Sequence, residues 1–250
     1  MTAYVFLGPS LPLEDARREL DVTYLPPVAQ GDIIKLIRRK PTVIGIIDGY
    51  FEGVPAVWHK EILFAMAKGA HVLGASSMGA LRAAELHPFG MEGVGAVFEA
   101  FRDGRLDDDD EVAVTHGPAE LGYTPLSEAM VNIRRTLSDA HSHDVISEAT
   151  RARLEELAKM FHYKDRTFAN AIDLAREYGV NRDELERFAS WLPTGRIDQK
   201  REDALALLRL LRQRLKAGIA PKAVRYHFEH TTLWERAVRE AASPPATPAN

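Results

Sequence analysis

The stretch Thr42-Val43-Ile44-Gly45-Ile46-Ile47 is apolar on both of its alternating faces and ends at Asp48-Gly49. A strand of that kind needs cover on both sides, as a central strand of a parallel sheet has and a half-solvated antiparallel strand does not. Its surroundings supply the alternation such a sheet requires. Ala3 to Leu7 reads as a short buried strand broken by Gly8-Pro9-Ser10, Leu13 to Leu20 as an amphipathic helix, and Val22 to Leu25 as a second strand. Asp32 is placed to cap a helix from Ile33 to Arg39. Beyond Asp48, a loop from Tyr50 to Pro55 leads to a helix from Ala56 to Lys68, a strand from His71 to Gly74 and an Ala-rich helix from Met78 to Leu86. Repeated strand and helix predict a parallel sheet covered by helices. A helix near Val94 to Asp103 follows, then the acidic run Asp107 to Glu111, read as a solvated turn, and an edge strand at Glu111 to Thr115.

From Ser127 the pattern changes. Ser127 to Ala140, Val145 to Phe161, Thr167 to Tyr178, Asn181 to Trp191, Gln199 to Ala217 and Pro221 to Arg239 all read as amphipathic helices, with Thr167 and Asn181 as N-caps and Gly179 and Gly218 as C-caps. The fold class is therefore α/β: a parallel sheet core with flanking helices in the N-terminal half, followed by an all-α C-terminal module. The expected division is a core at 1–140, a helical module at 141–240 and a disordered tail at 241–250, where the sequence reads AASPPATPAN.

Composition narrows the chemistry. A formal net charge of −4 leaves no basic footprint for nucleic acid. The chain has no cysteine, which excludes disulfides, zinc–thiolate sites and a persulfide relay on it. MTAYVFLGPS lacks the basic n-region and the long apolar run of a signal peptide, and no stretch is long and apolar enough to span a bilayer. The expectation is a soluble, cytoplasmic protein.

Ligands of a parallel α/β sheet bind at the carboxyl ends of its strands. Three expected strand ends bring polar groups there: Ser10, Asp48 and the pair Ser76-Ser77. Ala75-Ser76-Ser77-Met78-Gly79 departs from the Gly-x-Ser-x-Gly nucleophile elbow by an alanine at its first position, and Gly79 still permits close approach of helix and strand. Packing or phosphate binding by small residues at such a junction is the competing reading. Either serine can be the nucleophile; Ser77 has the elbow's spacing to Gly79. Met78 N–H is the first oxyanion candidate, with the N–H or hydroxyl of Ser10 as a second. The helix that begins Ala56-Val57-Trp58-His59-Lys60 runs back from the same edge, which places Lys60 near the serines and Lys68 roughly 12 Å away at about 1.5 Å per residue. A lysine in a helix's first turns, if also partly buried, is pushed toward the neutral amine that a general base requires. The alternative is a surface lysine paired with Glu61 or Asp48. His59 is the competing base, about 100° around the helix from Lys60. Asp48 orients a base or the substrate, or simply forms a turn before Gly49. Arg82 and Glu85, three apart, are expected to pair.

At this point several motifs in fixed order are recognisable. VFLGPSL (Val5 to Leu11), IIDGYF (Ile46 to Phe51), VPAVWHKEIL (Val54 to Leu63) and GASSMGALRAAEL (Gly74 to Leu86) together resemble the TfuA-like family over roughly Ala3 to Arg135. DQKREDA (Asp198 to Ala204) and FEHTTLWERA (Phe228 to Ala237) look like the tail that many members carry. The resemblance implies a partner of YcaO enzymes in peptide backbone thioamidation, as in the biosynthesis of ribosomally made, post-translationally modified peptides. Such a protein is expected to release sulfide from a thiocarboxylated ThiS-like sulfur carrier and to help a YcaO-type enzyme engage its peptide or protein substrate. The family's hydrolase-like Ser–Lys pair would fall on Ser77 and Lys60, and no metal or organic cofactor is called for. A groove for an extended carrier tail is expected at the sheet edge, with Tyr50, Phe51 and Trp58 as lining. A non-catalytic adaptor for YcaO and its peptide is the alternative reading.

Overall fold

The computed structural model describes residues 2–242. Five strands, β1 (Ala3–Phe6), β2 (Thr23–Leu25), β3 (Val43–Ile46), β4 (His71–Ala75) and β5 (Glu92–Val94), form one sheet in the order β2-β1-β3-β4-β5. Every pairing is parallel, and the register sets Phe6 beside Ile46 and Ile46 beside Gly74. The carboxyl ends of β1, β3 and β4 therefore meet at one edge, as the sequence predicts.

The period-2 pattern of the central strand sorts its side chains to two faces. Ile44 and Ile46 join Phe6 and Val72 in a core completed by α2 (Asp32–Ile37), α3 (His59–Ala67), α4 (Met78–Leu86) and α5 (Ala96–Arg102). Val43 and Ile47 face the other way, with Val5, Leu73 and Ala75, against α1 (Leu13–Glu19) and a helix from far down the chain, Gln199–Ala217. That helix buries Leu207, Leu208 and Leu211 on the sheet, each contributing on the order of 2 kcal/mol. It crosses Gly45 so closely that a Cβ there would lie 3.2 Å from Leu207 and Leu211.

Between α5 and this returning helix, α6 (Met130–Ser142), α7 (Glu148–Met160), α8 (Phe168–Glu177) and α9 (Arg182–Gly195) pack around their own core of Ile133, Leu137, Leu157, Phe168 and Phe188. Thr167 and Asn181 cap α8 and α9 as expected. The returning helix is α10, and α11 (Thr232–Ala242) follows it. Of the expected tail at 241–250, Ala241 and Ala242 close α11 instead, and residues 243–250 lie outside the described residues. No helix among the described residues is long and apolar enough to cross a membrane.

Several expectations are corrected. The sheet's edges are β2 and β5, and Glu111 to Thr115 forms no strand; Glu111 closes a single 3₁₀ turn. The acidic run is not simply solvated. Glu111 is buried and holds Arg134 through two bonds of 2.9 Å, while Asp110 pairs with the fully buried Arg166 and both acids meet Lys159. Gly31, at φ 88°, takes the N-cap position of α2, and Asp32 inside the helix accepts Ala29 N–H. The helix expected from Ala56 begins at His59, because Trp58 is still extended (φ −78°, ψ 141°). The helix expected from Pro221 begins only at Thr232. The preceding segment is a strap along α3, with Lys222 N–H on Gly69 O (2.9 Å) and the Tyr226 hydroxyl on Leu63 O (2.6 Å). Phe228 and Trp234 both pack on Phe64, a burial that outweighs helix propensity in this stretch.

Candidate functional site

The strand order reverses direction between β1 and β3, which opens a crevice at their carboxyl ends. Asp48 laces it shut at the bottom. Its Oδ2 accepts the N–H groups of Gly8 (2.8 Å) and Ser10 (3.1 Å), and its Oδ1 accepts the Ser10 hydroxyl (2.6 Å). Gly8 is required here, since a Cβ would lie 2.5 Å from the Pro27 ring. Both donors of Ser10 are thus spent on Asp48, so Ser10 offers none to an oxyanion.

The β4–α4 junction is tighter than a simple turn. Ser76 sits at φ 69°, and the N–H of Ser77 reaches back two residues to Ala75 O at 2.8 Å. A three-residue turn with positive φ is the rare, strained kind, and strain held by a non-glycine residue concentrates at functional sites. The Ser76 hydroxyl is buried with no partner among the described residues. Ser77 occupies the N-cap position of α4, yet its side chain makes no capping bond and lines a cavity instead. The N–H of Met78 is among the first-turn groups that a helix cannot satisfy internally. Gly79 presses α4 onto β3: a Cβ there would lie 1.8 Å from Ile46 O, so the close approach read from sequence is obligatory.

The cavity, of about 320 Å³, brings Ser77 and Asp48 together with Tyr50 and Phe51 of the following loop. Trp58, expected beside them, is not part of its wall. Two further segments complete it: Val114 to His116, and Tyr163 with Lys164 from the α7–α8 connection. An ion pair of 2.5 Å between Glu52 and Lys164 ties the loop to the helical cluster. His116 rests against two phenols, its ring 5.5 Å from that of Tyr123 and 6.4 Å from that of Tyr50. Burial, with a hydrogen bond to Tyr50, pushes the Tyr123 phenol up to about 12.

Neither expected base reaches this cavity. Lys60 Nζ donates to Thr231 Oγ1 at 3.2 Å and lies 5.5 Å above the Phe228 ring, on the C-terminal strap. His59 Nε2 meets Glu85 at 2.7 Å, and Glu85 also pairs with Arg82 as its spacing predicts. The reason is Glu61. It takes the inward position at the start of α3, where its carboxylate accepts Gly31 N–H at 2.8 and 2.9 Å and so caps α2. Burial raises its pKa above the ordinary glutamate value. One residue earlier, Lys60 is rotated about 100° away and points outward.

A different lysine is buried in the protein, although it does not line the cavity either. Lys200, second residue of α10, is buried; its Nζ donates to Val112 O at 2.7 Å, and its own N–H to Asn132 Oδ1 at 3.1 Å. Burial lowers its pKa, against the opposing pull of Asp48, Asp198 and Glu128, the carboxylates whose charges reach it. Its place at a helix N-terminus acts in the same direction as burial. The sequence does carry a signal for it: positions 200, 203, 204, 207, 208 and 211 form one helical stripe, in which Lys200 and Asp203 are charged members among apolar ones. His116 carries no such signal, because its segment has no periodicity.

Among the described residues no group of three or more His, Cys, Asp or Glu side chains is arranged to hold a metal ion. Residues 48–167 match the sequence model of the family described as TfuA-like protein. The matched span holds Asp48, Ser77 and His116 and ends before Lys200. No curated protein matches the chain.

Proposed function

We propose that this chain, TfuA-like over residues 48–167, is a hydrolase-like accessory protein of peptide thioamidation. In this reading it releases sulfide from a thiocarboxylated ThiS-like carrier and assists a YcaO enzyme with its peptide. The observation that carries the reading is Ser77: a serine after a strained strand–helix turn, its side chain uncapped and facing a cavity beside the first turn of α4.

The Ser77 oxygen attacks the thiocarboxylate carbon of the carrier while its proton passes to a neutral lysine amine. Of the two lysines, Lys200 suits that role, being buried with a lowered pKa and within reach of the Asp48 charge; Lys60 is engaged on the outside by Thr231. The Met78 N–H stabilises the tetrahedral oxyanion, a donor worth about 3 kcal/mol in comparable sites. As the C–S bond breaks, the lysine ammonium returns that proton to the departing sulfur, which leaves as hydrosulfide; water then cleaves the acyl-serine to return the carrier as its carboxylate. Tyr50 and Phe51 line the approach for an extended carrier tail.

The test is sulfide release from a thiocarboxylated ThiS-like protein by the wild type, Ser77→Ala, Lys200→Met and Lys60→Met, each checked for folding. Release that is lost in the first two variants and kept in the third is the expected result. A wild type that releases no sulfide, even with YcaO present, while still binding YcaO and its peptide, would replace the hydrolase with a non-catalytic adaptor.

A further inference from the structure

We propose that His116 is the general base for the second half of this reaction, taking a proton from the water that hydrolyses the acyl group on Ser77. The proposal rests on the nucleophilic role of Ser77 given above. His116 and Ser77 line the same cavity from two separate segments of the chain. The backbone on either side of the histidine is fixed: Leu126 N–H donates to Thr115 O at 2.7 Å and Gly117 N–H to Thr124 O at 2.9 Å. The imidazole is oriented as well. Its Nδ1 lies 2.8 Å from Gly117 O, and a carbonyl only accepts, so Nδ1 carries the hydrogen. In the neutral ring Nε2 therefore holds the lone pair. Tyr50 and Tyr123 both pack against the ring.

The two half-reactions generate protons in different places. In acylation the proton starts on Ser77 Oγ, a group of the protein itself. In deacylation it starts on a water in the cavity itself, where His116 forms part of the wall and the buried Lys200 does not. As the water oxygen bonds to the acyl carbon, Nε2 accepts one of its protons. Collapse of the tetrahedral species breaks the C–Oγ bond, and the same proton passes from Nε2 to Ser77 Oγ. The carrier leaves as a carboxylic acid that ionises in solvent, and both residues return to their starting state.

His116→Asn is the discriminating variant, because its amide nitrogen can stand where Nδ1 stands and keep the Gly117 bond while nothing replaces Nε2. His116→Gln is the second variant should the first not fold. Pre-steady-state kinetics with a thiocarboxylated carrier protein, and separately with p-nitrophenyl acetate, report both half-reactions. The expected result is a preserved burst of about one equivalent of sulfide or nitrophenol, followed by turnover slowed about 10²-fold. Intact-mass analysis then finds the acyl group on Ser77, and added imidazole restores turnover. Turnover within about threefold of wild type, or burst and turnover falling together, would overturn the role of His116 while Ser77→Ala remained inactive. Full activity in Ser77→Ala would remove the nucleophile and this base with it.

Discussion

Helices α3 and α10 cover opposite faces of the same sheet and begin almost alike. Each has lysine as its second residue, Lys60 and Lys200, and each carries a buried acid soon after, Glu61 and Asp203. Each acid caps another helix: Glu61 accepts Gly31 N–H at the start of α2, and Asp203 accepts Ala96 and Val97 N–H (3.0 and 2.8 Å) at the start of α5. The lysines nonetheless end in opposite environments. In α3 the acid is the very next residue, so turning it inward turns Lys60 outward by about 100°. In α10 the acid comes three residues after the lysine, on nearly the same side, and both are buried. The dipole at a helix N-terminus acts equally on the two lysines; a two-residue difference in where the capping acid falls decides which becomes a candidate base.

The largest expected effect bears directly on that difference. Lys200→Met should slow sulfide release about 10³-fold, or roughly 4 kcal/mol of barrier, whereas Lys60→Met should stay within about threefold of wild type. Steady-state sulfide assays on the two folded variants decide it. The reverse ranking would mean that α3, and not α10, supplies the base.

The capping acids come next. Glu61→Ala and Asp203→Ala each leave buried helix N–H groups without an acceptor, at about 2–3 kcal/mol apiece. For a chain of this size that is a fall in melting temperature of roughly 5–10 °C, measurable by calorimetry. Two similar losses would establish that the faces are built alike apart from their lysines. A small loss at one would break the parallel.

The third effect is smaller and depends on pH. Burial lowers the pKa of Lys200 in the folded protein, below the ordinary lysine value of about 10.4. Between those two values the unfolded chain binds the extra proton, so this residue's contribution to stability rises with pH across that window. Lys200→Met should remove that part of the slope. Urea titrations of wild type and variant at neutral and alkaline pH compare the two slopes directly, and an unchanged slope would place Lys200 in a better-solvated setting.

Much of this architecture is written locally. The boundaries of α4 and α10, the alternation in β3 and the gathering of Ser10, Asp48 and Ser77 at one edge follow from short-range patterns, and the close packing at Gly79 from a single residue. What escapes is long-range. The strand β5 is three residues set among Gly90, Gly93 and Gly95, which read as loop. It is a strand because β4 pairs with it and because the Phe98 ring occupies the space over Gly93. The acids of the 107–111 run look solvated until Arg134, Lys159 and Arg166 arrive from the helical cluster. The outward turn of Lys60 depends on Glu61 capping a helix some thirty residues earlier, and the inward place of Lys200 on a helix returning to a sheet that the chain had left long before. The stripe on α10 marks Lys200 as inward, but no periodicity in either segment encodes which distant elements they meet.

The smallest effect tests whether Lys60 does anything structural. Its partner, Thr231, has two roles: its hydroxyl accepts the Lys60 ammonium at 3.2 Å and also the N–H of Trp234, at 3.3 Å, in the first turn of α11. Thr231→Ala removes a helix cap and should cost about 1 kcal/mol, enough to loosen the strap over Phe64. Lys60→Met removes one partly exposed bond and should cost less than about 0.5 kcal/mol, since the methionine chain can still pack on the Phe228 ring. If the lysine acts only through the threonine, the double variant will match Thr231→Ala alone; if the two are independent, the losses will add. Denaturant titrations on the four proteins of this cycle resolve the two cases. A coupling larger than either single loss would make Lys60 a structural anchor of the strap, giving the lysine of α3 a function of its own, where the lysine of α10 is assigned to chemistry.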